Sequence, residues 1–292
     1  MIRLIIRAFS LVLLVVLVVS GCSLPAGDTT LQTPVATKTA GQFTATPPPT
    51  ITPSSIPSPT PTATLQPSGV ICSPLSGIEL GDLHKITSQG YTPPAPYKDD
   101  GHPAVDLAFF TFKEMPSMIG HPVQSILPGK VSLVIDNQYP YGNAVMIETP
   151  LDLITLDLVN SLSLPTPIPQ ENLELLRPCD SDPAFESMVP LKWSDDSKSV
   201  FVLYAHLLEK PDLKVGETIS CGQEIGAVGN TGNSAAEHLH LETRIGPAGA
   251  RFGTLAMYAP EASVEERYSY CIWTTSGRFQ SFNPVNLWEQ EQ

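Results

Sequence analysis

Basic side chains are scarce in this 292-residue chain: 16 lysines and arginines face 29 aspartates and glutamates, for a formal net charge of -13. Phosphate backbones reward lysine and arginine, so this balance argues against a nucleic-acid partner. Close cysteine pairs are also missing. Cys22, Cys72, Cys179, Cys221 and Cys271 stand far apart, which argues against a cysteine-type zinc cluster. The chain has no His-Glu-X-X-His, which removes the helix-borne zinc pattern. Helical periods are few, confined to Pro169–Leu176 and a short stretch at Ala262–Arg267. Between Ser23 and Ser68 the only charges are Asp28 and Lys38, and from Thr149 to Ser199 there is no glycine at all.

What is present begins with Arg3 and Arg7, an apolar run from Leu11 to Val19, and then Ser20-Gly21-Cys22. A basic start, an apolar middle and small residues before a break mark residues 1–21 as a secretory signal. Val19-Ser20-Gly21-Cys22 resembles the lipobox of bacterial lipoproteins, which implies that Cys22 is lipidated and becomes the new N-terminus. The alternative is an uncleaved anchor, although Ile5–Val19 falls short of the roughly 20 apolar residues a bilayer core needs. Either way the remainder is expected outside the cytoplasm, in the first case lipid-anchored to the cell membrane. Ser23 after the cysteine keeps an outer membrane open as the address.

Residues 22–68 are dominated by Thr, Pro, Ser and Ala, as in Thr46-Pro47-Pro48-Pro49-Thr50. Proline removes backbone donors and holds the chain extended, so this stretch reads as a disordered linker. At about 3.1 Å per residue in polyproline form, it would reach on the order of 140 Å, and about 40 Å as a flexible coil.

From residue 69 to 292 short β-rich runs alternate with Gly, Pro and Asn. Val105–Phe110, Val131–Ile135, Ala144–Ile147, Val200–Leu207, Ile225–Val228 and His238–Arg244 read as strands, with turns at Pro128-Gly129, Tyr141-Gly142-Asn143 and Gly229-Asn230-Thr231-Gly232. This predicts an all-β domain of mainly antiparallel sheets. The 149–199 stretch, with a small helical content, reads as an insertion leaving a hairpin, since about 50 residues is near the lower limit for an independent core. The four cysteines of the domain allow up to two disulfides in an exported protein, in any of three connectivities, or four free thiols.

His238-Leu239-His240-Leu241-Glu242 would place both histidines and the glutamate on one face of a strand and the leucines on the other. Short motifs match by accident, and ordinary strand histidines are the bland reading. Company changes that: His102 and Asp106 lie upstream, and His206 sits in Tyr204-Ala205-His206-Leu207. His102, Asp106 and one histidine of the His-X-His strand give two imidazoles and a carboxylate, a set that suits catalytic zinc with an open fourth position. If His240 is the third ligand, His238 and His206 remain free to move protons at a peptide bond.

His102-X-X-X-Asp106, Tyr204-Ala205-His206-Leu207 and Gly226-Ala227-Val228-Gly229-Asn230-Thr231-Gly232 leading into His238-Leu239-His240 together resemble the lysostaphin and LytM-type zinc metallopeptidases. The resemblance covers roughly His102–Arg244, with Phe282–Leu287 similar to the segment that closes such domains. It implies a duplicated hybrid β motif, Zn2+ held by His102, Asp106 and His240, His206 and His238 as catalytic residues, and hydrolysis of peptide bonds in peptidoglycan peptides. The sequence departs from the family at Ala104, where glycine is usual, and at Ala235-Ala236-Glu237, which places a carboxylate beside the site. His121 precedes Pro122 in a turn and is at most a contact of the substrate groove, and His84 reads as a surface or turn residue. Trp193, Trp273, Tyr139 and Tyr141 either stack on substrate or pack, and packing is the expected role of each. The competing reading is a non-catalytic relative that binds wall material or activates another hydrolase. No oligomeric state is specified.

Overall fold

Two-residue periodicity assigns the side chains of each strand to opposite faces, and in the middle of the sheet both faces are covered. The computed structural model describes residues 70–109, 117–161, 179, 183–185, 191–192, 194–257 and 262–289. The chain divides into two units, Met1–Pro59 and Thr60–Gln292, and every described residue belongs to the second. The 1–21 signal, Cys22, the 22–68 linker, the helix expected at Pro169–Leu176 and Trp193 lie outside the described residues.

The strands are β1 (Thr87–Gln89), β2 (Ala104–Leu107), β3 (Pro122–Gln124), β4 (Gly129–Gln138), β5 (Gly142–Pro150), β6 (Ser194–Leu207), β7 (Thr218–Ile219), β8 (Glu224–Ala227), β9 (Leu239–Ala248) and β10 (Gln280–Ser281). Two α-helices are described, α1 (Leu156–Ser161) and α2 (Val264–Thr274). One sheet runs β1-β2-β9-β6-β5-β4-β7 with β10 also on β9, and β3 pairs with β8 in a second. Every pairing between these strands is antiparallel, as expected from the sequence.

On β5, Val145 and Ile147 enter one core and Ala144 and Met146 the other; on β6, Val200, Val202 and Tyr204 oppose Phe201, Leu203 and Ala205. Continuous apolar runs follow from burial on both faces. The second core is closed by α2, whose Trp273 packs against Phe201, Phe252 and Phe279. Ser263 and Glu266 form a reciprocal capping box that starts this helix. The helix runs seven residues past the Arg267 end read from sequence, because Tyr268, Tyr270 and Trp273 carry β propensity and are made helical by burial.

The 149–199 stretch leaves and rejoins one hairpin: Thr149 pairs with Val200 and Pro150 with Ser199 across β5 and β6. Of the three possible connectivities, the disulfides are Cys72–Cys221 and Cys179–Cys271.

Candidate metal centre and cleft

Strand β9 lies between β2 and β6, so its side chains meet neighbours from both. His240 is opposite Asp106 on β2 and Ala205 on β6, one residue before His206. Leu239 and Leu241 are fully buried in the first core, leaving His240 and Glu242 for the face covered by α2. His102, four residues before Asp106, is held by a bridge to Thr92, and His238 by a bridge to Gly229.

Asp106 is the hub. Its Oδ1 lies 2.9 Å from His240 Nδ1, 3.2 Å from His102 Nε2 and 3.5 Å from His238 Nε2. A carbonyl oxygen can only accept, so the histidine nitrogen facing one must carry the proton. His102 Nδ1 donates to Gly90 O at 3.0 Å, His206 Nδ1 to Thr231 O at 2.8 Å and His238 Nδ1 to Ala236 O at 2.8 Å. In the neutral ring form, His206 and His238 then keep Nε2 unprotonated. His240 is turned the other way, with Nδ1 toward Asp106 and Nε2 4.0 Å from Glu242 Oε2.

Donor atoms of His102, Asp106 and His240 all lie within 4.8 Å of one another, and so do those of His206, His238 and His240. The first set, two imidazoles and a carboxylate, fits a divalent ion such as zinc with one position left open. Because both sets need His240, an ion in the first leaves His206 and His238 as free imidazoles beside it. Their rings are 4.8 Å apart.

Electrostatics follow from this crowding. Burial would raise the Asp106 carboxyl, but hydrogen bonds with His102 and His240 outweigh it and hold it well below the usual aspartate range. Burial would lower His240, yet the carboxylates of Asp106 and Glu242 raise it to about 9 in the metal-free site. His206 is lowered to about 3, by burial first and then by its histidine neighbours, so it is neutral near pH 7.

His206 is 5% exposed and sits at φ 60, a left-handed conformation that is rare outside glycine. The surroundings that hold it come from two turns singled out in the sequence. Its backbone N–H donates to Tyr141 O at 3.0 Å. Thr231 Oγ1 donates to Leu207 O at 2.8 Å and accepts from Asn143 N–H at 2.9 Å. The two turns touch so closely that a Cβ on Gly142 would lie 2.4 Å from Thr231, and one on Gly232 would lie 2.3 Å from Gly142 N. Glycine is required at both.

A buried network behind His240 escaped the sequence reading. Glu242 accepts from Tyr141 OH at 2.9 Å and from Arg244 Nε, and Trp273 Nε1 donates to Tyr141 OH at 3.2 Å. Arg244 Nη1 reaches Phe279 O at 3.0 Å while its guanidinium lies 4.9 Å over the Trp273 ring. Burial alone would raise Glu242, but the Arg244 charge outweighs it and sets the carboxyl at about 2. Glu242 thus stays ionised behind His240, where a carboxylate orients a ligand histidine. The readable signal was Glu242-X-Arg244 continuing the same face as His240.

The cleft holds about 430 Å³ and is lined by His102, His206, His238, His240, Asp106 and the Asn233–Ala236 loop, together with Asp99, Tyr141 and Tyr270. The lining sorts three sequence readings. His121 does not line it; its Nε2 is bonded to Ser76 O at 2.9 Å and its ring packs on Phe109. Glu237 does not line it either, being hydrogen-bonded to Ser117 instead. Tyr141 packs but also forms cleft wall. His84 is exposed, Tyr139 is 46% exposed, and Trp273 is fully buried.

The model of Peptidase family M23 matches residues 184–251, which include His206, His238 and His240 but not His102 or Asp106. Among solved structures, the chain is similar to a zinc-containing peptidase from Vibrio cholerae at 23% identity, covering 54% of this chain and 32% of that one, with a TM-score of 0.30. It is similar to the catalytic domain of the antimicrobial peptidase lysostaphin from Staphylococcus simulans at 22% identity, covering 59% and 87%, with a TM-score of 0.32. A catalytic-domain mutant of the prophage-encoded M23 protein EnpA from Enterococcus faecalis shows 16% identity over 63% and 88%, with a TM-score of 0.31. The chain thus spans about a third of the Vibrio protein.

Proposed function

We propose that this chain is a zinc metalloendopeptidase that hydrolyses peptide bonds of peptidoglycan at the cell envelope, exported by residues 1–21, lipid-anchored at Cys22, and carried on the 22–68 linker by a domain spanning 69–292. The observation that carries it is the convergence of His102, Asp106 and His240 with two further imidazoles in one cleft. The M23 match over residues 184–251 supports the peptidase class. Two disulfides support an oxidising, exported setting.

In this reading His102, Asp106 and His240 would hold the ion. Zinc, when bound, supplies Lewis acidity at the scissile carbonyl and makes water nucleophilic near pH 7. The protein's own residues do the rest. His206 and His238 present unprotonated Nε2 atoms toward the same space, because Thr231 O and Ala236 O fix their Nδ1 protons. One takes the proton of the attacking water and passes that same proton to the leaving amine; the other, carrying a proton from solvent on Nε2, steadies the developing oxyanion. Burial and its histidine neighbours hold His206 neutral near pH 7.

The test is digestion of purified peptidoglycan by the zinc-loaded protein, read by mass spectrometry of muropeptides and by amine release. Cleaved stems or cross-links are expected from wild type, and at least a hundredfold less from His206→Ala. Equal and zero release from both proteins would leave a wall-binding or hydrolase-activating role in its place.

A further inference from the structure

Three carboxylates line the cleft, and two are already committed. Asp106 faces His102 and His240, and Glu242 is taken by Arg244 and Tyr141. Arg244, the one lysine or arginine among the described lining residues, is itself engaged by Glu242 and Phe279 O. Asp99 is the third. Its Oδ2 accepts from Tyr270 OH at 2.9 Å, which leaves Oδ1 without a hydrogen-bond partner and the residue without an ion pair among the described residues.

The carboxylate is held in place. Its loop is closed by Lys98 N–H on Ala95 O at 3.0 Å, by Asp100 accepting from Ala95 N–H at 2.7 Å, and by reciprocal backbone bonds between Thr92 and His102 at 2.8 and 2.9 Å. Those last bonds tie the loop to a member of the metal set. On the other side Tyr270 comes from α2, and its ring lies 6.2 Å from Tyr141, which is itself 6.2 Å from the His240 ring. Asp99 is therefore a fixed negative group at the rim of the reacting site. Asp99 is surface-accessible, and partial desolvation at the cleft raises its carboxyl against the lowering effects of the Tyr270 hydrogen bond and the more distant Arg244 charge.

We propose that Asp99 is a specificity residue that binds a substrate ammonium group, so that the cleft selects peptides carrying a free side-chain or terminal amine next to the bond presented to the metal centre. This rests on the peptidase reading for its substrate class but not for the subsite itself. A lysine-like amine with a pKa of about 10.4 is charged at neutral pH and pairs with a carboxylate; acetylation removes the charge while keeping one N–H donor.

The experiment uses the zinc-loaded full chain and one lysine-containing stem tetrapeptide, with its ε-amino group free or acetylated. Calorimetry measures binding of both forms, and mass spectrometry separately measures their cleavage. Wild type is expected to bind the free-amine form about tenfold or more tightly, in line with a charge-assisted hydrogen bond. Asp99→Asn, which keeps an acceptor for Tyr270, should reduce that preference to less than twofold without weakening the acetylated form. Asp99→Ser serves as a second variant should the amide perturb folding. Tyr270→Phe should keep the preference, which a merely structural Asp99–Tyr270 contact would not allow. Equal binding of both peptides by wild type, or a preference that survives loss of Asp99, overturns the subsite. A preference that behaves as expected with no cleavage of either peptide overturns the peptidase reading and leaves the amine subsite standing.

Discussion

His238 and His240 are two residues apart and chemically identical, yet their hydrogen bonds give them opposite orientations. His240 turns Nδ1 to Asp106, whereas His238 spends Nδ1 on Ala236 O. His240→Ala is therefore expected to abolish stoichiometric zinc in the purified protein, while His238→Ala keeps zinc and loses activity by about a hundredfold or more. Metal analysis beside a peptidoglycan assay separates the two, and zinc retained by His240→Ala would refute the assignment. The raised His240 also sets a pH dependence. Its folded pKa of about 9 lies above the ordinary histidine value. The metal-free protein therefore gains stability from it that is complete below about pH 6.5 and is lost as pH rises through about 9. Zinc binding has the opposite sign, because a ligand nitrogen must shed its proton first. Melting curves between pH 6 and 9.5 should show metal-free protein weakening while the stabilisation by zinc grows.

At the scale of elements, β2, β4, β5, β6, β8 and β9 were legible from alternation or β-branched content, while the two- and three-residue strands β1, β3, β7 and β10 were too short to leave a pattern. The face of β9 carrying His240 followed from the period of two. The pairs β2–β9 and β6–β9 were not legible, since pairing partners leave no local mark in sequence. Yet those pairings are what bring Asp106 and His206 to His240. Helix α2 was half legible, its start marked by Ser263 and Glu266 and its end hidden in aromatics. Asp99 and Tyr270 were invisible for the same reason, as they meet only once α2 packs. The turn at Gly229-Asn230-Thr231-Gly232 was legible as a turn, but its purpose as the support of His206 required the fold. Gly232→Ala puts a Cβ against the Gly142 backbone at φ 74. It should cost about 1–3 kcal/mol of stability. Through Thr231 it should also lower turnover with zinc content unchanged, a combination that denaturant unfolding and metal analysis can read together.

The two disulfides divide the molecule by consequence. Cys72–Cys221 closes a separation of 149 residues and Cys179–Cys271 one of 92, so a chain-entropy account gives each on the order of 4–5 kcal/mol. Their positions differ more than their entropies. Cys72 enters beside Ile126, with its N–H on Ile126 O at 3.1 Å, and Cys221 lies in the turn between β7 and β8; neither residue lines the cleft. Cys271 is on α2, one residue from Tyr270 and three from Thr274, both of which do. Its partner Cys179 belongs to the excursion between β5 and β6, so that bond fastens the excursion to a wall of the cleft. Replacing Cys72 and Cys221 together with alanine should lower the melting temperature and leave kcat and KM at 25 °C unchanged. Replacing Cys179 and Cys271 should lower stability and also raise KM, because α2 then holds Tyr270 and Thr274 with one tether fewer. Steady-state kinetics on both variants, each well below its own melting point, checks this. Identical kinetics for the two would mean that α2 is positioned by the Trp273 core alone and that the excursion has no hold on the cleft.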